Sequence, residues 1–488
     1  MFKKLFQRLF KRLLLVALTT LVVSGVLSAQ TLKSLTHQSP GGAGIGFLLT
    51  DGTVLFQGNS LSAWYLLTPD IDGSYLHGTW KQVGSLPTGY NPDAFASAVL
   101  ADGRVVIAGG EYLGGTFTLT NKCAIYDPKT ATWANLAPPA SWLYIGDSPS
   151  AVLPNGTYVI GNKLTTQIAA LNPKTLTWTM LSSAGKSDFD AEEGWTLMPD
   201  GSILTADVKN APNSERYLTS LHKWITAGST IVDLHSPSPF GCINYGPNGS
   251  LCYYPPGEIG PQILRPDGTV FVTGSTPQNS RTAHTAIYTP GATANQEGTW
   301  AVGPDFPVGD EAGDSFAALL PNGNVLVEGI SGALYEFNGA TLDKGPFGFG
   351  SLFVLPTGEV IVGGSQLYTT TGTYEAAWAP TIKNFPASVT RGSTYKISGT
   401  QFNGLSQAAA FGDEYETATN YPLVRITNIT TGHVFYAKTH DHSTMAVATG
   451  NKIVFTNFDV STATETGAST LVVVANGIPS SPVNITVN

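Results

Sequence analysis

The chain has 488 residues, of which 42% are hydrophobic, only 12% are charged and 54 are glycine; this is the profile of a strand-and-turn protein, neither disordered nor helical. Against 34 acidic residues stand 25 basic ones, and five of these (Lys3, Lys4, Arg8, Lys11 and Arg12) lie in residues 1–29, which carry no acidic residue, so 20 against 34 leaves a net charge of −14 on the remainder. A surface that acidic repels phosphate backbones, which excludes nucleic acid as the natural partner and leaves cationic or neutral partners open.

In chain order, the five basic residues precede an apolar run from Leu13 to Leu27 and the small residues Ser28 and Ala29. That is the order of an export signal, with cleavage expected after Ala29 and a secreted or periplasmic product that keeps no membrane span. A retained anchor is the alternative, but 15 apolar residues fall short of the roughly 20 that a bilayer needs.

Seven hairpin turns follow, at Asp51-Gly52, Asp102-Gly103, Asn155-Gly156, Asp200-Gly201, Asp267-Gly268, Asn322-Gly323 and Thr357-Gly358. Each sits between two short apolar runs, and the pairs suit the positive φ of tight hairpins. The glycines are spaced by 51, 53, 45, 67, 55 and 35 residues, a recurrence near 50 that predicts propeller blades. The second unit shows the full pattern: Ala96–Leu100, Arg104–Ala108, Gly109-Gly110, a strand ending at Tyr126-Asp127-Pro128, then Trp133. The third repeats it with Trp178, while Trp80 and Trp300 hold the matching place in the first and fifth. Four strands make a blade that must stack on neighbours to bury its faces, and residues 31–37 are placed to supply a closing strand.

The fourth unit is long, running to about Pro256, and holds Cys242 and Cys252 around a Gly/Pro/Asn loop; these two are expected to pair in an oxidising compartment. Cys123 alternates with apolar residues and reads as a buried, inert thiol. Beyond Ala379 the hairpins stop, and short alternating strands (Tyr395–Ile397, Leu423–Ile426, Val434–Lys438, Met445–Ala448, Leu471–Val474 and Val483–Val487) predict a β-sandwich of immunoglobulin type. The expected fold is therefore all-β: a signal over 1–29, a seven-bladed propeller over 30–378 and an immunoglobulin-like domain over 379–488.

The repeat of Pro-Asp-Gly turn, Gly-Gly, Tyr-Asp-Pro strand and Trp resembles the kelch repeats of the galactose oxidase superfamily, and the order of signal, blades and C-terminal domain is similar too. The resemblance covers nearly all of residues 41–488, and Gly412–Leu423 followed by Thr439–Met445 resembles a bacterial branch of unassigned activity. Among the oxidases it implies copper held by two Tyr and two His, one Tyr cross-linked to a Cys, with a Tyr-His pair opening an innermost strand. Here the aligned pairs are Asp93-Ala94, Gly146-Asp147, Ala191-Glu192, Glu258-Ile259, Gly313-Asp314 and Gly348-Phe349, so carboxylates stand where copper(II) wants imidazole and phenolate.

Asp93, Asp147, Glu192, Glu258 and Asp314, with Glu193, Asp310 and Glu311 beside them, are expected to gather at one channel mouth. Crowded carboxylates raise one another's pKa or recruit a cation, and calcium suits a loose all-oxygen site; a cationic or polyhydroxyl ligand suits it as well. The alternative is structural, with each carboxylate accepting backbone N–H bonds between blades. The resemblance also lets the loop with Asp413, Glu414 and Glu416 reach the channel. His440 and His442, two apart on one strand, would share a face and could ligate a metal with a third donor, or pair at a domain interface. No nucleophile elbow, zinc-protease helix or phosphate loop is present. The reading that results is a binding module for a carbohydrate or cell-surface component, with a divalent cation such as calcium as the candidate cofactor, and with a metal-dependent oxidase or a two-carboxylate glycoside hydrolase as the enzyme alternatives.

Overall fold

The computed structural model describes residues 30–246 and 249–488; the expected export signal lies outside them. The chain is built almost entirely of short antiparallel strands, in successive four-stranded meanders. In the first sheet Gly46–Leu48, Val54–Gln57, Trp64–Thr68 and Thr79–Gln82 pair in order. The same order recurs in sheets opening at Ala96–Val99, Ser150–Val152, Thr196–Leu197, Ile259–Leu264 and Ala317–Leu319. The seventh sheet joins Leu352–Val354, Val360–Val362 and Gln366–Thr369 to Thr31–Ser34, in the register Thr31↔Thr369.

Each of the seven hairpins closes in the same way. The amide of Leu49 bonds Thr53 O and that of Gly52 bonds Leu49 O, and the pattern repeats at Leu100, Leu153, Met198, Arg265, Leu320 and Leu355. The glycines all have φ between 77° and 85°, whereas the preceding Asp, Asn or Thr do not have positive φ. The turn is thus a type I turn followed by one left-handed residue, a place glycine fills at least cost. The Asp or Asn acts through its side chain instead: Asp51 Oδ1 accepts the Thr53 amide at 3.0 Å, and Asp102, Asn155, Asp200, Asp267 and Asn322 do likewise two residues on.

Packing between sheets uses the outer-strand tryptophans. Trp80 Nε1 donates to His37 O, Trp178 Nε1 to Ala137 O and Trp300 Nε1 to Ala227 O, each reaching the preceding unit. Innermost strands lie side by side: Ser150 Oγ donates to Ser97 O at 3.0 Å, and Ser351 Oγ to Gly44 O at 3.0 Å, which joins the seventh sheet to the first. Cys123 is buried in the second sheet with its thiol pushed up to about 12 by burial.

Residues 381–487 form one continuous nine-stranded sheet. Ile397 and Phe458 share a core with Leu471 and Ile485 from its other half, so the sheet folds back on itself. Met445–Ala448, expected as a strand, is a loop, because Met445 and Val447 are drawn into the cores of the repeat sheets; the strand there is Val454–Asp459. The segment between Phe402 and Leu423 leaves this sheet and runs among the innermost strands. Ala409–Ala410 pairs with Ala317 and Ala318 as a fifth strand of the sixth sheet, and Gln407 Oε1 accepts the Leu197 amide at 2.6 Å.

Candidate functional site

A cavity of about 330 Å³ opens where the innermost strands begin. Its walls carry Asp93, Glu111, Asp147, Glu192, Glu258, Asp314, Asp413 and Glu414, with Tyr112, Phe240, Phe411 and Tyr415. Five of the aligned strand-entry carboxylates and two from the C-terminal segment therefore face one space.

Local backbone explains the aim of each. Glu192 and Asp314 are left-handed, at φ 58° and 49°, as is Ala94 at 52° after Asp93; such geometry in residues with a Cβ is uncommon and turns the side chain out of strand register. A short hairpin, Tyr112–Leu113 with Thr116–Phe117, pairs with Pro92–Asp93 and brings Tyr112 and the neighbouring Glu111 to the wall. The C-terminal segment enters by close backbone approach. A Cβ on Gly412 would lie 2.7 Å from Ile259 O, and one on Gly194 would lie 2.5 Å from Gly412 O, so neither position has room for a side chain. Tyr415 Oη then donates to Asp93 Oδ1 at 2.6 Å, fixing the loop.

Beneath the cavity lies Lys163, a residue the sequence reading passed over. Its side chain is fully buried, and its ammonium donates to Asp147 Oδ2, to Glu192 Oε1 at 2.6 Å and to Glu111 Oε1 at 3.2 Å. Tyr253 Oη donates to the same Glu192 oxygen at 3.1 Å, and the Tyr253 ring covers the ammonium with its centroid at 5.2 Å. Burial opposes the charge on Lys163, but Asp147 and Glu192 outweigh it and raise its pKa. The signal was present: Gly109-Gly110 and Gly363-Gly364 end second strands, and the third unit puts Gly161-Asn162-Lys163 there instead.

One ammonium cannot neutralise eight carboxyls. Burial pushes Glu192 up, yet Lys163 and the hydrogen bond from Tyr253 bring it below the usual carboxylate value, so it is ionised. Burial, with Glu192 and Asp314 nearby, pushes Glu258 up to about 11. Asp314 opens onto the cavity but is walled by protein on its other sides, and burial with Glu192 raises it to about 6. Asp147 and Asp413 are raised as well, first by burial and then by Glu111 and Glu414 respectively. Asp147, Asp413 and Glu414 each place an oxygen within 4.8 Å of the others. Both oxygens of Asp413 and Asp147 Oδ1 are buried with no hydrogen-bond partner.

Several expected members stand elsewhere. Glu193 points away from the cavity to Lys186, at 2.8 Å. Asp310 accepts the Ser331 amide and hydroxyl and the Tyr335 hydroxyl, all within its own sheet; Glu311 takes the Thr276 amide at 2.6 Å. Glu416 turns to Gln407 and the Ala418 amide. His440 and His442 do not share a strand face, because the strand ends at His440 and Asp441 is left-handed at φ 51°. His440 bonds Asp441 and Asp459, and the half-buried His442 bonds Thr456, with its pKa lowered to about 3 by the protein packed around its ring. Neither lines the cavity, and among the described residues neither belongs to a group of three donors close enough to share an ion.

The long insertion of the fourth unit covers this region. Its hairpin, Ile243–Tyr245 with Leu251–Tyr253, carries the Cys242–Cys252 disulfide, with Cα atoms 5.4 Å apart. Phe240, Ile243 and Pro255 reach the acidic cavity. On its other flank an adjoining cleft of about 440 Å³ is lined by Phe189, Tyr245, Tyr253 and Tyr254 among others.

No known family profile and no curated protein matches the chain. Among solved structures, the fold is similar to a fungal alcohol oxidase of the AA5 family in complex with copper, at 14% identity and TM-score 0.50, over 95% of this chain and all of that one. A catalytically inactive virginiamycin B lyase from Staphylococcus aureus with quinupristin aligns over 70% of this chain and 99% of its own, at 12% identity and TM-score 0.45. The extracellular domain of a one-component system from B. thetaiotaomicron aligns over 94% of this chain and 58% of its own, at 11% identity and TM-score 0.46. At 14% identity the likeness to the fungal alcohol oxidase is one of fold alone: the chain has a β-propeller-like architecture of that kind.

Proposed function

We propose that this chain is an exported binding protein whose acidic cavity takes a divalent cation and, through it, a hydroxyl-rich ligand of the carbohydrate class. In this reading the seven meanders are kelch-type blades of one ring over 30–378, and residues 379–488 are an immunoglobulin-like domain that lends the ring its Phe402–Leu423 segment. The observation that carries it is Asp413, whose two carboxylate oxygens are buried without a partner beside Asp147 and Glu414. An unpaired buried carboxylate costs several kcal/mol, so it takes up a proton or a cation. An all-oxygen donor set in an irregular arrangement favours calcium. Sugar hydroxyls complete such a coordination sphere, and the rings of Tyr112 and Phe240 on the cavity wall offer apolar faces on which a sugar ring can rest.

Copper does not fit: among the described residues no histidine lines the cavity, and copper(II) prefers imidazole donors. The test is a glycan array probed with the full chain in calcium and again in chelator. Calcium-dependent retention that Asp413→Asn lowers about tenfold or more supports the proposal; retention indifferent to calcium and to Asp413 contradicts it.

One observation favours a second reading. Glu192 is held ionised while Glu258 is held protonated on the same cavity, the division of labour of a glycosidase base and acid. Should a retained glycan be cleaved, Glu258→Gln is expected to abolish turnover and leave retention intact.

A further inference from the structure

Beside the cavity, around the fourth sheet, a second set of carboxyls is buried still more deeply. Asp188, Asp190, Glu193, Asp207 and Glu215 are each 3% exposed or less. Lys186 is the cation among them, donating to both oxygens of Glu193 at 2.8 and 3.1 Å and to Glu215 Oε2 at 2.7 Å. Asp188 spends its oxygens on the amides of Phe189, Lys209 and Asn210. Both oxygens of Asp207 and both of Asp190, by contrast, are buried with no hydrogen-bond partner. Five carboxyls facing one ammonium in the interior cannot all be ionised without further positive charge.

We propose that Asp188, Glu193 and Asp207 bind a calcium ion in a structural site distinct from the acidic cavity. One oxygen from each lies within 4.8 Å of the others, and the unpartnered Asp207 supplies two free oxygens to that space. All the donors are oxygen, and Asp190 and Glu215 nearby add negative charge, which suits a hard cation with a high coordination number. Lys186 keeps Glu215 and shares Glu193 with the ion, so the site stays net negative until the ion binds. An entry path exists, since Asp188 also lines the 440 Å³ cleft beneath the disulfide hairpin. The ion would tie the residues leading into Thr196–Leu197 to the end of Ile203–Ala206, fastening the inner half of the fourth sheet. None of its three ligands faces the acidic cavity, so the two sites fail or stand separately.

The experiment uses the full chain stripped by chelator, titrated with calcium alone by calorimetry and melted with and without calcium. Asp207→Asn is expected to lose one bound equivalent and that site's share of the calcium-dependent rise in Tm, about 3 °C for an ion at a hundredfold excess over its Kd. Asp413→Asn should keep that rise. A rise and stoichiometry unchanged by Asp207→Asn overturn the proposal. If that variant does not fold, terbium alone reports on the chain through Trp224, whose ring centroid lies 5.0 Å from Lys186 Nζ. Trp224→Phe is then expected to lose most of the tryptophan-sensitised emission at unchanged stoichiometry, and emission that persists in full overturns the site.

Discussion

At the scale of single residues, the interior is organised by which carboxyls obtain a counter-charge and which do not. Lys163 settles Glu192, and Ser331 with Tyr335 settles Asp310, but Glu328 has neither kind of help. It is buried at the end of Val325–Glu328, accepts only the long Gly350 amide contacts at 3.2 and 3.3 Å, and is pushed up to about 7 by burial. The folded chain thus keeps this proton to about pH 7, whereas the unfolded chain releases it near pH 4.3. Between those values the native state binds more protons, so this contribution to stability is full below pH 4.3 and falls as pH rises, by up to about 1.4 kcal/mol per pH unit. Glu328→Gln should flatten that slope and melt later than the wild type at pH 8; urea melts across pH 4 to 8 check it, and an unchanged slope rejects it. From sequence, Glu328 is one more polar residue closing a short apolar run, since nothing local shows that Gly350 closes over it. Asp93, Asp147, Glu192, Glu258 and Asp314 were legible because their position relative to each turn repeats. Lys163 was legible only as a departure from that repeat.

Individual elements divide into those that build the frame and those laid upon it. The hairpin turns belong to the first kind, and their Asp-Gly and Asn-Gly pairs announce them because one residue needs a side-chain acceptor and the next a left-handed backbone. The insertion hairpin from Ile243 to Tyr253 belongs to the second, pairing with no strand of the four-stranded sheets. It delivers Tyr253 to Glu192 and to Lys163, and the disulfide limits its freedom. Replacing both Cys242 and Cys252 by Ser should therefore weaken calcium binding at the cavity severalfold while moving the global Tm by no more than about 2 °C. Calorimetry on the variant checks this, and a large fall in Tm with unchanged calcium affinity would assign the hairpin to the frame. The strand Val454–Asp459 and the loop Met445–Ala448 exchanged places between expectation and structure for a related reason: apolar alternation marks burial, and the loop is buried against another unit.

At the scale of the whole molecule, the ends and the middle of the chain are interlocked. The seventh sheet is completed by Thr31–Ser34, and Gln30 Nε2 donates to Glu336 Oε2 at 2.9 Å. A chain beginning at Leu35 would expose Gln366–Thr369 as a free edge; it should melt about 5 °C or more below one beginning at Gln30 and self-associate, as scanning calorimetry with light scattering would reveal. Equal melting would show that the edge needs no cover. The closing strand was legible from its place before the first repeat. The threading of Phe402–Leu423 among the innermost strands was not legible from pattern, because Gly412 and Gly194 show their purpose only once the backbones they admit are in place.

On the proposed function, the acidic cavity is a cation site and not merely a store of shared protons. A crystal structure of the full chain soaked in calcium, with anomalous data, tests it most directly. An anomalous peak is expected about 2.3–2.6 Å from oxygens of Asp147, Asp413 and Glu414. A cavity without such a peak, in which Asp413 shares a proton with Glu192 or Glu414, would contradict it.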